Sequence, residues 1–389
     1  MSPMKKVLKH LLSFLVGALI GAVLVVASVA LFGEISLAEF GRGVARMGVL
    51  TIAACALAGV LLMFFCLFLQ VLLHEAGHLV CGLLSGYRFL SFRVFSLTLV
   101  RQDGRLRLKR YKLAGTGGQC LLAPPGSPDD RVPYFWYYAG GVAANLLSAL
   151  LALGLWAWVD GMPFWLRLFL LLFGLMGLLL AALNGIPAKM GGLCNDACNI
   201  VLLRRRPADL RYMWIQLTAA ALIQTGTSPR SLPDEWFPSS DTAIDYSDLM
   251  QVSMPLMQAS RLQDSGRWDE ACTLLDGVYA HRDQLLGLIR LETEAELLFT
   301  LLMLGRTDRA RSLWTEQLKT YVTAHSRTSS AKQRILFAVA RCLDADEARA
   351  NSILADVCRR RDDYLMQGEA TMDIRLMEEL AEKCRISAE

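Results

Sequence analysis

The chain has 389 residues, of which 54% are hydrophobic, and this apolar content is too high for a single soluble globule. Residues 1–203 carry 16 Lys and Arg against 8 acids, whereas residues 204–389 carry 24 against 28. This balance predicts a membrane-embedded first half and a soluble second half, and the net charge of +4 gives no reason to expect a nucleic-acid partner.

Four apolar segments are long enough to cross about 30 Å of hydrocarbon, which takes about 20 helical residues. They cover roughly residues 11–32, 48–73, 134–159 and 163–183. The first apolar run is too long for a signal peptide, which favours an uncleaved anchor over residues 1–33. Basic residues beside the spans predict an integral protein of the cell membrane with both termini cytoplasmic, and the phospholipid bilayer is an expected partner.

The segment between the second and third spans, FRVFSLTLVRQDGRLRLKRYKL, alternates apolar and polar residues with a period of two. This pattern is typical of strands, and Asp103-Gly104 is a strong hairpin turn signal. Two interpretations of a β-hairpin region at 86–125 stay open. One is a cytoplasmic hairpin with one apolar face, and the other is a sheet at the membrane surface whose edge receives an extended peptide.

The soluble half begins with a predicted linker at 204–241, and residues 242–389 follow the pattern of amphipathic helices. Two stretches share a Gly-Arg-x-Asp-x-Ala core, at Gly266 to Ala271 and at Gly305 to Ala310. A turn glycine and a small alanine suit closely paired helices, so a tetratricopeptide-like array is predicted, with a generic helical domain as the alternative. Such an array would offer a surface for a protein partner.

The second apolar segment continues into HEAGH, which contains His74, Glu75 and His78. Each such residue would cost roughly 2.5 to 3.5 kcal/mol at mid-membrane if charged and unpaired, which favours a functional role. On a helix, residues i and i+4 share a face, so both histidines can bind one zinc ion while Glu75 holds the metal-bound water. The alternative is a pair of neutral histidines hydrogen-bonded to Glu75 between spans.

A third zinc ligand is expected in NGIPAKMGGLCNDACN, directly after the last span, where Asp196 is the only acid. Pro187 and the Gly191-Gly192 pair would break the helix and let the chain turn back towards the metal. Cys194 and Cys198 are the alternative ligands. The ten cysteines of the chain are scattered as single residues, which does not suggest a disulfide framework.

The third span contains the stretch GGVAANLL, in which small residues would let another helix approach closely. Asn145 in this stretch needs partners in hydrocarbon. Near a zinc site, its amide could contact a substrate backbone or the oxyanion formed during attack.

Taken together, HEAGH, GGVAAN and NGIP followed by an aspartate resemble the site-2 protease family of intramembrane zinc metalloproteases, in the family's order. The resemblance covers roughly residues 48–200. It implies His74, His78 and Asp196 as zinc ligands, Glu75 as the catalytic acid and base, and Asn145 as a catalytic contact to substrate or transition state. The chain has Gly-Gly where the family usually has Gly-Pro, and Asp-Ala where it usually has Asp-Gly.

The expected fold is mainly α: a polytopic membrane helical bundle, a small membrane-associated β-hairpin region and a soluble C-terminal helical domain. The metalloprotease core would cover residues 48–203 and hydrolyse peptide bonds of membrane-anchored proteins or peptides. Two other functions stay open. One is a non-catalytic membrane scaffold that presents the helical domain, and the other is a metal carrier.

Overall fold

The structure is a computed structural model that describes residues 48–102, 104–110, 117–190, 192–237 and 243–386, together with Arg42 and Arg46. The predicted first span at 11–32 lies outside these residues. The described part is mainly helical and contains small antiparallel sheets, which confirms the predicted fold class at this level. The chain divides into two compact units, residues 1–77 with 141–183, and residues 78–140 with 184–389.

Among the described residues, three helices are long and apolar enough to cross a membrane: α1 (Val49–Leu84), α2 (Tyr134–Trp158) and α3 (Phe164–Gly185). They coincide with the three predicted segments in the described residues, except that α1 continues past 73. At a rise of 1.5 Å per residue, α1 is about 54 Å long, which exceeds the hydrocarbon thickness. The helix therefore continues past the predicted apolar segment, through HEAGH, and ends at Leu84.

Small residues let the helices of the first unit pack closely. A Cβ atom on Gly177 of α3 would lie 2.6 Å from Gln70 Nε2 and 2.9 Å from Ala149 Cβ. One turn earlier, a Cβ atom on Gly174 would lie 2.5 Å from Leu153. Glycine at both positions removes the side chain that would keep α3 away from α1 and α2.

A four-stranded antiparallel sheet joins α1 to α2 in sequence. Its strands are β1 (Arg88–Val94), β2 (Leu97–Gln102), β3 (Arg105–Arg110) and β4 (Gly118–Ala123), in the order β3-β2-β1-β4. Gln102 pairs with Arg105, and Gly104 between them has a φ of +72°, as a tight hairpin turn requires. Asp103 of this predicted turn lies outside the described residues.

Ten further helices follow in the described part of the second unit. They are α4 (Asp196–Arg205), α5 (Ala208–Gln224), α6 (Leu249–Asp264), α7 (Trp268–Ala280), α8 (Gly287–Met303), α9 (Thr307–Leu313), α10 (Glu316–His325), α11 (Ser330–Cys342), α12 (Glu347–Arg359) and α13 (Gln367–Ile386). Helix α5 and short 3₁₀ turns at Pro229–Ser231 and Asp234–Trp236 occupy much of the predicted linker. The predicted domain boundaries stay a prediction.

The two repeated sequence cores form the same local structure. Gly266 and Gly305 have φ values of +72° and +71°, and each lies in the turn between two consecutive helices. Ala271 and Ala310, five residues further along, are fully buried. Each core therefore builds a helix–turn–helix with a left-handed turn glycine and a close helix contact. Membership of the tetratricopeptide class stays a prediction.

Candidate metal centre

Three side chains form a candidate metal centre in the described part of the chain. His74 and His78 come from one face of α1, which runs continuously through the division between the units. Asp196 is the first residue of α4. Each of the three offers one ligand atom, and these atoms lie within 4.8 Å of one another. The predicted ligand set is thus brought together as a candidate triad.

The segment after α3 turns back before it presents Asp196. A short hairpin pairs β5 (Lys189–Met190) with β6 (Leu193–Cys194). Asn195 follows and closes this loop: its Nδ2 donates to Ile186 O at 2.7 Å, and its Oδ1 accepts from the backbone N–H of Ala188 and Cys198. Asn195 is also the N-cap of α4, so one side chain fixes both the loop and the start of the helix that carries Asp196.

The second ligand, His78, has its ring orientation fixed by a backbone carbonyl. Its Nδ1 lies 2.7 Å from Tyr137 O, and because a carbonyl oxygen only accepts, Nδ1 must carry the proton. The unprotonated lone pair is then on Nε2, which lies 3.5 Å from Asp196 Oδ2. A histidine whose other ring nitrogen donates to a carbonyl is the usual arrangement of a metal ligand.

The first ligand, His74, is oriented by a chain of amides instead. Asn145 Nδ2 donates to Gln70 O at 2.9 Å and to Gln70 Oε1 at 2.7 Å. Asn145 Oδ1 therefore faces His74 Nδ1, 2.7 Å away, and accepts its proton. His74 thus has the same tautomer as His78, with Nε2 unprotonated and able to bind a metal.

Gln70 is a site residue that sequence reasoning missed. It lies one helical turn before His74 and is fully buried, and its Nε2 donates to Phe173 O of α3 at 3.0 Å. Ser148 adds a bond from its hydroxyl to Gln70 Oε1 at 3.3 Å. A glutamine amide in an otherwise apolar helix is a signal of the same kind as Asn145, because a buried amide requires partners.

Glu75 is buried beside the candidate ligands, with a relative exposure of 7%. Helical geometry places it about 100° from His74 and about 60° from His78 around α1. Its carboxylate therefore belongs to the same broad face of the helix as the ligands. The predicted catalytic role of Glu75 stays a prediction.

Cys194 and Cys198, the alternative ligands, are joined to each other by a disulfide bond. Their sulfurs are therefore engaged, and neither belongs to the candidate triad. This pairing was not predicted from the sequence. Its Cα atoms lie 5.2 Å apart because Cys194 ends β6 and Cys198 lies in the first turn of α4.

Within the described residues, the structure is mainly helical and contains three candidate membrane spans and one candidate centre of two histidines and an aspartate. No protein-family model, curated protein or solved structure matches the chain. The resemblance to a known family consequently depends on the sequence motifs.

Proposed function

We propose that the chain is an intramembrane zinc metalloprotease of the site-2 protease type, which hydrolyses peptide bonds of membrane-anchored proteins or peptides. The observation that carries the proposal is the meeting of His74, His78 and Asp196 within 4.8 Å. Two of these ligands lie on a helix apolar enough to cross a membrane. A histidine and carboxylate set at such a place is the protein part of a hydrolytic metal site rather than a solvent-exposed acidic cluster.

The donor set favours zinc in an open site. Two imidazoles and one carboxylate are three protein ligands, and catalytic zinc centres keep a fourth position for water or substrate. Zinc bound there would lower the pKa of a water molecule towards about 7 and polarise the scissile carbonyl. The cysteines that could complete a closed structural site are bonded to each other.

The residues around the triad would have different roles in the reaction. Glu75, buried next to His74, takes a proton from the attacking water and returns it to the leaving amine. Asn145 and Gln70 hold His74 in the required tautomer, and the carbonyl of Tyr137 does the same for His78. In this proposal Asn145 acts first as a positioning residue, since both ends of its amide are engaged. The expected contact from Asn145 to substrate stays a prediction.

A membrane-spanning substrate must expose its backbone before it can be cleaved, because a helix uses its carbonyl groups in its own hydrogen bonds. Strand β3 forms one edge of the four-stranded sheet in the described part of the chain. An unwound segment could therefore add to this edge as an extended strand. The C-terminal helices of residues 242–389 would select either the substrate or a regulatory protein partner.

The test is a comparison of protein termini between cells that express the wild-type chain and cells that express Glu75→Gln. Membrane and soluble fractions are analysed for fragments that begin or end within predicted spans. We expect at least one anchored protein to accumulate uncut in the variant. Glu270→Gln, at an exposed acid of α7, is the matched control and should leave the fragments unchanged.

Identical fragment sets in wild type and Glu75→Gln would contradict the proteolytic function. If loss of residues 242–389 alone then abolished the cellular effect, the scaffold function would replace it. Metal flux into vesicles without any cleavage would instead support the metal carrier.

A further inference from the structure

One face of the sheet is apolar and exposed at its outer strands. Leu106 and Leu108 of β3 are 61% and 69% exposed, and Leu97 of β2 and Phe95 in the adjoining turn are each 46% exposed. Leu108 pairs with Leu99, and residues 106, 108, 97 and 99 share one face because partners in a ladder point to the same side. Leu97, Leu99, Leu106 and Leu108 thus form a continuous apolar patch, which we call the leucine face.

The opposite face of the same strands is covered at β2, whereas Arg105 and Arg107 of β3 are exposed there. Thr98 and Val100 of β2 are 1% and 2% exposed. Lys109 of β3 donates a hydrogen bond to Asp362 O in the turn before α13. The outer strands therefore use one face for contacts within the protein and leave the leucine face uncovered in the described part of the chain.

Arginine side chains border the leucine face. Arg101 pairs with Leu106 and Arg110 pairs with Leu97, so both arginines point to the leucine face, and both are exposed. Arg105 is exposed at the start of β3. Exposed leucines among arginines match the boundary of a bilayer with anionic lipids, where apolar side chains enter the acyl region and guanidinium groups bind phosphate.

The connections of the sheet lead to the same boundary. Helix α1 ends at Leu84, with Val80, Leu83 and Leu84 exposed, and β1 begins at Arg88. Beyond β4, α2 begins at Tyr134, followed by exposed Phe135 and Trp136, an aromatic pair typical of a membrane interface. Two consecutive spans must have these connected ends on the same side of a bilayer. The sheet is therefore attached to that side through short segments at both ends.

We propose that the leucine face lies on an anionic phospholipid surface, with Leu106 and Leu108 among the lipid chains and Arg101 and Arg110 at the phosphates. This proposal concerns the attachment of the sheet and does not depend on catalysis. It would hold the β3 edge at the level where an anchored segment leaves the bilayer.

Photo-crosslinking of the full chain tests the proposal. p-Benzoylphenylalanine replaces Leu108 in one protein and Leu288 in another, since Leu288 of α8 is a leucine with 47% exposure outside the sheet. Each protein is reconstituted in nanodiscs of phosphatidylcholine alone or with 30% phosphatidylglycerol (about one anionic lipid in three), irradiated, and analysed by mass spectrometry for a lipid adduct. A third protein with the probe at Arg107, which is exposed on the opposite face of the same strand, reports on the direction of the contact.

We expect the lipid adduct at position 108 to exceed the adducts at 107 and 288 at least fivefold. Phosphatidylglycerol should raise the yield at 108, and the double substitution Arg101→Gln and Arg110→Gln should remove that increase. Absence of a lipid adduct at 108, or a cross-link to a second copy of the chain, would overturn the proposal. Equal yields in the two lipids would overturn its anionic part. Loss of proteolysis with an unchanged adduct would concern only the proposed function.

Discussion

At the scale of single residues, the tautomers of the two histidines follow from their neighbours. The backbone oxygens of Gln70 and Tyr137 can only accept, and this fixes the direction of the hydrogen bonds at the Nδ1 atoms of His74 and His78. With both Nδ1 atoms donating, the Nε2 atom of each ring is the one left to bind a metal. In the candidate centre the two rings are thus oriented by amides and carbonyls, which carry no charge.

Asn145→Ala tests this arrangement. We expect the dissociation constant for the bound metal to rise about 10- to 100-fold, because His74 loses the acceptor that fixes its ring. Competition with a fluorescent chelator measures the change in purified protein. Ser148→Ala is the control, since its hydroxyl contacts Gln70 but not a ligand, and its affinity should stay within about twofold of wild type. Equal affinity in Asn145→Ala and wild type would contradict the positioning role.

At the scale of elements, the first unit depends on the close approach of α3 to α1 and α2. Gln70 of α1 reaches the carbonyl of Phe173 only because Gly177, one turn further along α3, has no side chain. Gly177 and Gln70 are therefore linked: the glycine permits the close packing of α3, and this packing lets the glutamine reach its partner. Asn195 has the same double use on α4, where it caps the helix and closes the loop before Asp196.

Gly177→Ala is expected to lower the free energy of unfolding by about 1 to 3 kcal/mol, because the new Cβ atom would overlap Gln70 and Ala149. Metal affinity should fall with it, since Gln70 must move. Gly154→Ala on α2 meets no atom within 4 Å and should be neutral or up to about 1 kcal/mol more stable. Thermal unfolding in detergent compares the two. Equal effects from both substitutions would contradict the packing role of Gly177.

At the scale of the whole molecule, the second unit contains a buried group of charges that no proposed activity uses. Arg334 is almost fully buried and forms ion pairs with Glu296 and Asp373, both at 2.7 Å. Glu369 lies near them on α13, where burial, together with the charges of Asp373 and Glu296, raises the pKa of its carboxyl to about 7. In the folded chain this carboxyl therefore keeps its proton to higher pH than an ordinary glutamate does.

Stability should depend on pH through Glu369. Because its pKa in the folded chain exceeds the ordinary glutamate value of 4.5, its contribution to stability is fully present below pH 4.5 and is lost as pH rises through 7. We expect Glu369→Gln to raise the free energy of unfolding by about 1 to 3 kcal/mol at pH 8 and to change it little at pH 5. Denaturant unfolding of the full chain at the two pH values measures this. A stabilisation that is the same at both would contradict the assignment.

Sequence predicted the features that are local. Hydropathy located α1, α2 and α3, because a run of apolar residues determines a span without reference to other elements. Helical spacing predicted that His74 and His78 share a face, and the isolated Asp196 completed the candidate triad. The turn glycines Gly266 and Gly305 were likewise readable from their repeated context.

Features that depend on tertiary pairing were not predictable in this way. The pairing of β1 with β4 joins segments more than twenty residues apart, so the predicted hairpin region is a four-stranded sheet. The place of Gln70 depends on partners from α2 and α3. The bond between Cys194 and Cys198 depends on the fold of the loop before α4.

The metal content of the purified full chain tests the central claim most directly. Elemental analysis by mass spectrometry compares wild type, Glu75→Gln, His78→Ala and Asp196→Ala, with zinc and the other first-row metals measured together. We expect about one zinc ion per chain in wild type and in Glu75→Gln, since Glu75 is not a ligand, and at least a tenfold loss in the other two. Metal-free wild-type protein, or equal metal in all four, would contradict the metal centre.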